Sequence, residues 1–240
     1  MPLEQGEPAP VPAATVVPLR DEPGGGIAVL MVRRADSMAY GGAWAFPGGR
    51  VDPGDRTAGD APDDLGAARR TAVREAAEEI GLAFPRDALV PYSHWTGGAG
   101  GGRGRRFAAW YFLAPAPEGT VVLDGSETVD HRWTTPAEAL ARHERGDIAV
   151  VAPTWMTLTA LAGAASMAGV LAEAAGREPT RYVSRMVVLA GDAGRDGGTD
   201  GDRRVVMWHG DAGYAAADPD APGARHRLVM DGPAWRLVVS

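Results

Sequence analysis

The stretch REAAEEIGL, residues 74–82, decides how the rest of the chain is interpreted. Each helical residue turns by about 100°, so Glu75, Glu78 and Glu79 fall within about 100° of one another on the helical wheel. The apolar residues placed on the opposite side are Val73, Ala77 and Ile80. The sequence therefore predicts a helix with one face for a core and another for cations.

Local signals set the bounds of this helix and of the turn before it. The pattern predicts a helix from about Leu65 to Ile80, because Gly81 is a typical C-cap. Upstream, FPGG at 46–49 predicts a tight turn, since Pro fixes φ and Gly allows positive φ. The intervening residues 52–64 are rich in Asp, Pro and Gly and are expected to form a loop. The turn is expected to expose backbone carbonyl groups.

Apolar runs of strand length on both sides of this helix predict a mixed sheet between helices, an α/β/α sandwich of the α+β class. Strands are predicted at residues 27–34, 44–51, 89–95, 106–114, 129–133, 182–190, 203–208, 225–230 and 235–239. Further helices are expected at 136–142, with Thr134 or Thr135 as N-cap, and from Pro153 to about Ala175.

Composition narrows the possible function classes. With 240 residues, the chain is long enough for one large domain or for a core domain with an extension. The absence of Cys excludes disulfides, thiolate metal sites and Cys nucleophiles, and suits a cytoplasmic protein. The formal net charge of -7 disfavours general affinity for nucleic acid. No membrane span is expected, and residues 1–14 are expected to form a loose tail.

The glutamate face has a chemical interpretation of its own. Mg²⁺ and Mn²⁺ prefer oxygen ligands and keep several waters, which three carboxylates beside a tight turn would suit. Such an ion would neutralise a phosphate substrate and lower the pKa of an attacking water. The alternative is a solvated acidic helix face that holds no ligand.

The spacing of these residues resembles the Nudix hydrolase family, whose box reads Gly, five residues, Glu, seven residues, Arg-Glu-apolar-x-Glu-Glu-x-Gly-apolar. Residues 74–82 match the second half throughout, and Gly49 is followed after five residues by Asp55. Two features depart from the box: Asp55 replaces the first Glu, and eighteen residues separate it from Arg74. The extra residues fall in a loop-like stretch, where insertion costs little stability. The resemblance implies the Nudix fold and metal-dependent hydrolysis of a diphosphate bond.

The resemblance also implies roles for individual residues of the box. Glu78 and Glu79 would be metal ligands, with the carbonyl of Gly48 as an additional ligand. Glu75 would be a ligand or the proton acceptor. Arg74 would orient the glutamates through an internal ion pair. The alternative is an ordinary surface Arg that forms only a weak i,i+4 pair with Glu78.

A further acid in such proteins often comes from a loop outside the box. Glu127 is the candidate here, with Asp124 and Asp130 as its rivals. The predicted catalytic residues are Arg74, Glu75, Glu79 and Glu127, and the predicted metal ligands are Gly48, Glu75, Glu78 and Glu79. The expected cofactor is Mg²⁺ or Mn²⁺.

The substrate implied by the resemblance is a small nucleoside diphosphate derivative. The spacing of Arg33 before the tight turn and the Arg-rich hairpin resemble the coenzyme A diphosphatase branch, so coenzyme A or an acyl-coenzyme A is the first candidate. ADP-ribose, NADH and diadenosine polyphosphates are alternatives. A Nudix-fold sensor, which binds a nucleotide without cleaving it, is a further alternative.

Candidate substrate-binding residues lie outside the box. The predicted phosphate-binding residues are Arg33, Arg103, Arg105 and Arg106. The last three border the Gly-rich stretch 97–104, where the alternative is a solvated hairpin tip. Trp44, Trp95 and Trp110 would stack a base or, at strand positions, pack in the core.

The resemblance divides the chain into unequal parts. Residues 15–150 are assigned to the Nudix domain, and residues 151–240 to a C-terminal extension of helix and strands packed on it. Because the apolar helix of the extension must be buried against something, it is expected either to cover the site or to form a homodimer interface.

Overall fold

The computed structural model describes residues 9–38, 40–61, 64–97, 106–189 and 203–240. The strands in these ranges are β1 Val11–Asp21, β2 Ile27–Arg34, β3 Trp44–Ala45, β4 Gly48–Arg50, β5 Val90–Thr96, β6 Phe107–Pro115, β7 Thr128–Thr134, β8 Thr180–Val183, β9 Arg185–Leu189, β10 Arg203–Met207, β11 His226–Asp231 and β12 Ala234–Val239. The α-helices are α1 Leu65–Ile80, α2 Pro136–Glu144, α3 Ala152–Leu161 and α4 Met167–Ala175. Two short 3-10 helices span Pro53–Asp55 and Arg86–Ala88. Within the described ranges, no helix is long and apolar enough to cross a membrane.

The predicted mixed sheet between helices is confirmed. Eight strands form the main sheet in the order β3-β2-β1-β6-β5-β8, with β4 on β1 and β7 on β2. The β1–β6 and β5–β8 pairs are parallel, and the other pairs are antiparallel. Apolar residues of α1 pack on one face of this sheet, and those of α2, α3 and α4 pack on the other. The result is the α/β/α sandwich.

A split between β1 and β2 creates the place where the site forms. The two strands pair only from Leu19 to Asp21 and from Ile27 to Val29, and they diverge beyond that point. Residues 44–50 fill the gap, because β3 pairs with β2 while β4 pairs with β1. The amide of Val16 donates to the carbonyl of Pro47 at 3.0 Å, which fixes the tight turn in the split.

Helix α1 has the predicted bounds, but its buried face is rotated from the predicted one. The side chain of Asp64 accepts from the Ala67 amide at 2.8 Å at the N-terminus, and Gly81 ends the helix with φ of +69°. Ala76 is fully buried, whereas Ala77 is exposed. The core therefore lies closer to the glutamates than the wheel predicted, and Glu79 is on its border.

The chain before residue 15 is not all tail, because β1 begins at Val11. Its parallel pairing with β6 runs from Val11 to Leu19, and Ala14 is fully buried beneath α1. Pro12 lacks an amide donor, but its carbonyl accepts from the Val51 amide at 2.9 Å. Residues 11–14, expected to be tail, therefore belong to the sheet.

The C-terminal extension packs on the sheet face opposite α1. Its predicted single helix is two helices, α3 and α4, and α4 starts anew where the Ser166 side chain accepts from the Gly169 amide at 3.2 Å. The predicted strand 182–190 is also two strands. Of these, β8 extends the main sheet, where Tyr182 stacks on Trp95 at 3.8 Å, and β9 starts a separate four-stranded antiparallel sheet.

Candidate active site

Glu79 is the buried member of the three helical glutamates, with an exposure of 3%. One carboxylate oxygen, Oε2, accepts from the Gly48 amide at 2.9 Å. The other oxygen, Oε1, is buried and has no hydrogen-bond partner in the part of the chain that the structure describes. Burial raises the pKa of Glu79 to about 8, and the negative charges of Glu75 and Glu127 act in the same direction.

Glu75 lies beside Glu79 and faces the second glycine of the tight turn. A Cβ on Gly49 would overlap the Glu75 carboxylate, so only glycine allows this approach. Burial raises the pKa of Glu75, although the charge of Arg74 opposes the change. Two partly desolvated carboxylates with like charge thus converge where β4 meets α1.

Arg74 links Glu75 and Glu78 of this helix face to Asp55. Its Nη1 lies 2.9 Å from Glu75 Oε1 and 2.8 Å from Glu78 Oε2, and its Nη2 lies 2.8 Å from Asp55 Oδ2. Nη2 also donates to the Arg50 carbonyl at 3.0 Å. The hydrogen bond to Asp55 raises the pKa of Arg74, so the guanidinium stays charged. This is the geometry that an orienting role requires.

Asp55, whose shorter side chain departs from the box, is buried with 6% exposure. Its Oδ2 accepts from the Thr71 hydroxyl at 2.9 Å and from the Asp52 amide at 3.1 Å. Burial would raise the pKa of Asp55, but the hydrogen bonds from Arg74, Asp52 and Thr71 outweigh it and lower that pKa. The 3-10 helix brings the short side chain up to Arg74, and Asp55 holds the guanidinium in place.

The longer loop between Asp55 and the helix is fastened to the helix by another arginine. Nε of Arg70 donates to the Asp55 carbonyl at 2.5 Å, and Nη2 of Arg70 lies 2.5 Å from the Asp60 carboxylate. Asp60 in turn accepts from the Thr57 amide at 2.6 Å and hydroxyl at 2.7 Å. Residues 57–60 of the longer loop are thus tethered to α1 through Arg70.

Replacing Asp55 by Asn should destabilise the protein by about 2 kcal/mol at pH 7, because Arg74 loses the opposite charge and one of the two carboxylate oxygens to which it donates. Since the folded-state pKa of Asp55 is lowered, its stabilisation is present above its ordinary pKa and is lost as the pH falls through the lowered value. Chemical denaturation of both proteins at pH 7 and pH 3 measures this. Asp87→Asn, at an exposed position, is the control. An Asp55→Asn penalty that is equal at both pH values would contradict the assignment.

Glu127 is exposed, and its charge acts on the pKa of both Glu75 and Glu79, so it lies near the pair. The Asp124 carboxylate accepts hydrogen bonds from its own loop. Burial alone would raise the pKa of Asp124, but hydrogen bonds from Ser126, Glu127 and Thr128 hold it well below its usual range. Asp130 accepts from the adjacent His131 amide at 2.8 Å. Of the three candidate acids, Glu127 is the one whose charge acts on both glutamates.

The predicted arginines and tryptophans have different surroundings. Arg33 pairs with Asp36 at 2.9 Å. Arg106 is partly buried at the start of β6, where its carbonyl accepts from the Val11 amide at 2.8 Å. Arg103 and Arg105 lie outside the described residues. The candidate stacking residues Trp44, Trp95 and Trp110 are core residues, with exposures of 7%, 4% and 6%.

Arg34 acts on the buried glutamate of the site, whereas its neighbour Arg33 was the predicted residue. The charge of Arg34 lowers the pKa of Glu79, against the larger effect of burial. Strand alternation was the available signal, because Leu30 and Val32 face α1 and the next residue in that series is Arg34. Thr71, which donates to Asp55, was also missed, and a single polar side chain within a helix gives no signal of its role.

The carboxylates around Glu79 are candidate donors for a divalent cation. Among the described residues, no three Asp, Glu or His side chains are already grouped as ligands. Arg74 accounts for this, because its guanidinium holds Glu75 and Glu78. The buried, unpartnered Oε1 of Glu79 beside Glu75 is nevertheless an oxygen that a hard cation would satisfy. The residues therefore fit a divalent ion, provided that Glu75 and Glu78 turn from Arg74 toward it.

Comparisons with known proteins agree with this geometry. Residues 9–155, more than half of the chain, match the NUDIX domain family. A NUDIX hydrolase from Alicyclobacillus acidocaldarius is 27% identical over 68% of this chain and 96% of its own, with a TM-score of 0.60. The NUDIX domain of Shewanella oneidensis NrtR complexed with ADP ribose is 15% identical over 65% of this chain and 88% of its own, with a TM-score of 0.49. A C. elegans Ap4A hydrolase binary complex is 24% identical over 62% of this chain and 93% of its own, with a TM-score of 0.43. No curated protein matches.

The family match covers the split sheet, the tight turn and helix α1 with its glutamates. Members of this family generally use divalent metals such as Mg²⁺. The chain belongs to the Nudix family and is a hydrolase that acts on pyrophosphate bonds.

Proposed function

We propose that the protein is a Mg²⁺- or Mn²⁺-dependent diphosphohydrolase that cleaves the diphosphate linkage of a small nucleoside diphosphate derivative. The observation that carries the proposal is the buried Glu79 carboxylate, which has one unpartnered oxygen and lies beside Glu75. A buried carboxyl group of this kind stays largely protonated at neutral pH, and a compensating cation would make its ionised form favourable.

The residues that would hold the ion are Glu75, Glu78, Glu79 and the carbonyl of Gly48. The bound ion would neutralise the diphosphate and lower the pKa of the attacking water. Arg74 Nη1 holds Glu75 and Glu78 while Nη2 is held by Asp55, so the two glutamates would turn from Nη1 toward the ion with Arg74 kept in place.

The proton of the attacking water is taken by Glu75 or Glu127. Glu75 has a raised pKa because of burial, which brings its basicity closer to neutral pH. Glu127 is exposed and can accept a proton and release it to solvent. Arg34, whose charge acts on Glu79, is suited to contact a phosphate oxygen of the substrate.

Coenzyme A or an acyl-coenzyme A is the first substrate to test, with ADP-ribose, NADH and diadenosine polyphosphates as alternatives. Because Arg33 is engaged by Asp36, a coenzyme A phosphate would have to be held by other arginines. A sensor without activity is disfavoured, because Arg74 and all three helical glutamates are retained.

A substrate panel tests the proposal. The full chain is incubated with each of these compounds in Mg²⁺, in Mn²⁺ or in a chelator, and the products are separated by chromatography. We expect at least one compound to be cleaved into two phosphorylated products, and only when a divalent ion is present. Tight binding without turnover across the whole panel would establish the sensor instead.

A further inference from the structure

The segment that follows β2, described at residues 35–38 and 40–43, is hydrogen-bonded beside the active site at both ends. At its start, the Ala35 amide donates to the Glu127 carbonyl at 2.8 Å. At its end, the Arg34 amide donates to the Ala43 carbonyl at 3.0 Å, and the Gly42 amide donates to the Arg34 carbonyl at 3.1 Å. The segment is therefore tied to Arg34 and Glu127, the two residues whose charges reach Glu79 from outside helix α1.

Tyr40 in this segment has a conformation that a bulky residue rarely adopts. Its φ is +59°, in the left-handed region that favours Gly or Asn. Two glycines follow Tyr40 directly, so residues better suited to this conformation are adjacent in the sequence. Its carbonyl accepts from the Ala43 amide at 3.1 Å, so the strained backbone is part of the turn. The turn itself gives no reason for a tyrosine at this position.

Tyr40 is 64% exposed, and it is the only exposed Phe, Trp or Tyr in the described part of the chain. The backbone hydrogen bonds of Ala35, Gly42 and Ala43 to Glu127 and Arg34 place this exposed aromatic residue in a segment that borders the glutamate face.

We propose that Tyr40 is a substrate-positioning residue that stacks on the nucleobase of the substrate. The inference rests on the proposed function, because it requires a nucleoside diphosphate derivative at the glutamate face. Stacking on an aromatic ring tolerates any base and does not need a hydrogen-bond pattern. The base is remote from the reacting diphosphate, so stacking stabilises the bound substrate and the transition state equally.

Two variants separate the effect of the Tyr40 ring on substrate binding from the effect of its backbone conformation. Tyr40→Asn removes the ring but tolerates the left-handed conformation, and Tyr40→Phe keeps the ring. We expect Tyr40→Asn to raise KM about tenfold with kcat unchanged and Tm not lowered, and Tyr40→Phe to stay within about twofold of the wild-type KM. Val239→Asn, at a position with 67% exposure in the distant β12, is the matched control and should change neither constant.

The test uses a cleaved member of the panel and a dialkyl diphosphate that lacks a base. Tyr40→Asn should leave the KM of the base-free compound unchanged. An unchanged KM for the nucleotide, an equal rise for the base-free compound, or a fall in kcat or Tm in Tyr40→Asn would each overturn the inference.

The affinity for AMP, measured by calorimetry, separates failure of this inference from failure of the proposed function. If the wild type cleaves nothing, the proposed function fails, yet weaker AMP binding by Tyr40→Asn than by Tyr40→Phe would still support stacking. If the wild type cleaves the nucleotide but both variants bind AMP equally, stacking fails and the proposed function stands.

Discussion

Replacing Glu79 by Gln is expected to lower the turnover number about 1,000-fold or more, because the variant loses the buried anionic ligand. The fold should survive, since the amide oxygen of Gln can still accept from the Gly48 amide, which now lies 2.9 Å from Oε2. Removing a carboxylate whose pKa is raised to about 8 by burial also removes a desolvation penalty. Turnover should therefore fall while stability at neutral or higher pH rises.

Steady-state kinetics at saturating Mn²⁺, together with thermal unfolding, measures both effects. Glu118→Gln is the matched control, because Glu118 is exposed and lies outside the glutamate face. It should retain wild-type kinetics. A fully active Glu79→Gln enzyme would remove Glu79 from the site, and an unfolded variant would show that its carboxylate is structural.

The site could be predicted from the sequence only as far as its parts are local. The bounds of α1 follow from its cap residues Asp64 and Gly81, and the glutamates follow from their spacing within a single helix. The burial of Glu79 depends on the position of β4 beside α1. This is a long-range contact, and a helical wheel contains only positions within the helix. For this reason the wheel predicted three glutamates together on a face for cations, whereas the structure shows that Glu79 is buried at the edge of the core.

Long-range strand pairing also explains where the predicted fold differs from the observed one. Strand β1 contains Pro12 and Pro18, which argue against a strand when read locally, yet it pairs in parallel with β6 along its length. In the extension, small apolar residues continue from Ala152 to Ala175, so nothing in the hydrophobic pattern shows that α3 and α4 are separate. The role of Asp55 was open for the same reason, because Arg74 reaches it across nineteen positions.

The metal-free protein is expected to lose stability as the pH rises from about 4.5 to about 8. Glu79 has a folded-state pKa of about 8 against an ordinary value of 4.5, so the folded protein binds more protons than the unfolded chain in this window. The free energy of unfolding therefore falls with rising pH by up to about 1.4 kcal/mol per pH unit. The loss should level off above pH 8.

His143 acts in the opposite direction, because burial lowers its pKa and its contribution to stability rises with pH near its ordinary value of 6.5. The difference between the wild type and Glu79→Gln cancels this effect. That difference should grow from pH 4.5 to pH 8 in a chelator. It should shrink when Mn²⁺ is present, because an ion that binds the folded state at about 100 times its Kd adds about 2.7 kcal/mol.

The most direct test of the account is calorimetry of Mn²⁺ binding at pH 7 in two buffers that differ in ionisation enthalpy. Because Glu79 is mostly protonated at this pH and must ionise to bind a cation, the wild type should release close to one proton per bound ion. Glu79→Gln should bind Mn²⁺ more weakly, without that proton. Mn²⁺ binding of equal affinity and equal proton release in both proteins would contradict the assignment of Glu79 as the buried metal ligand.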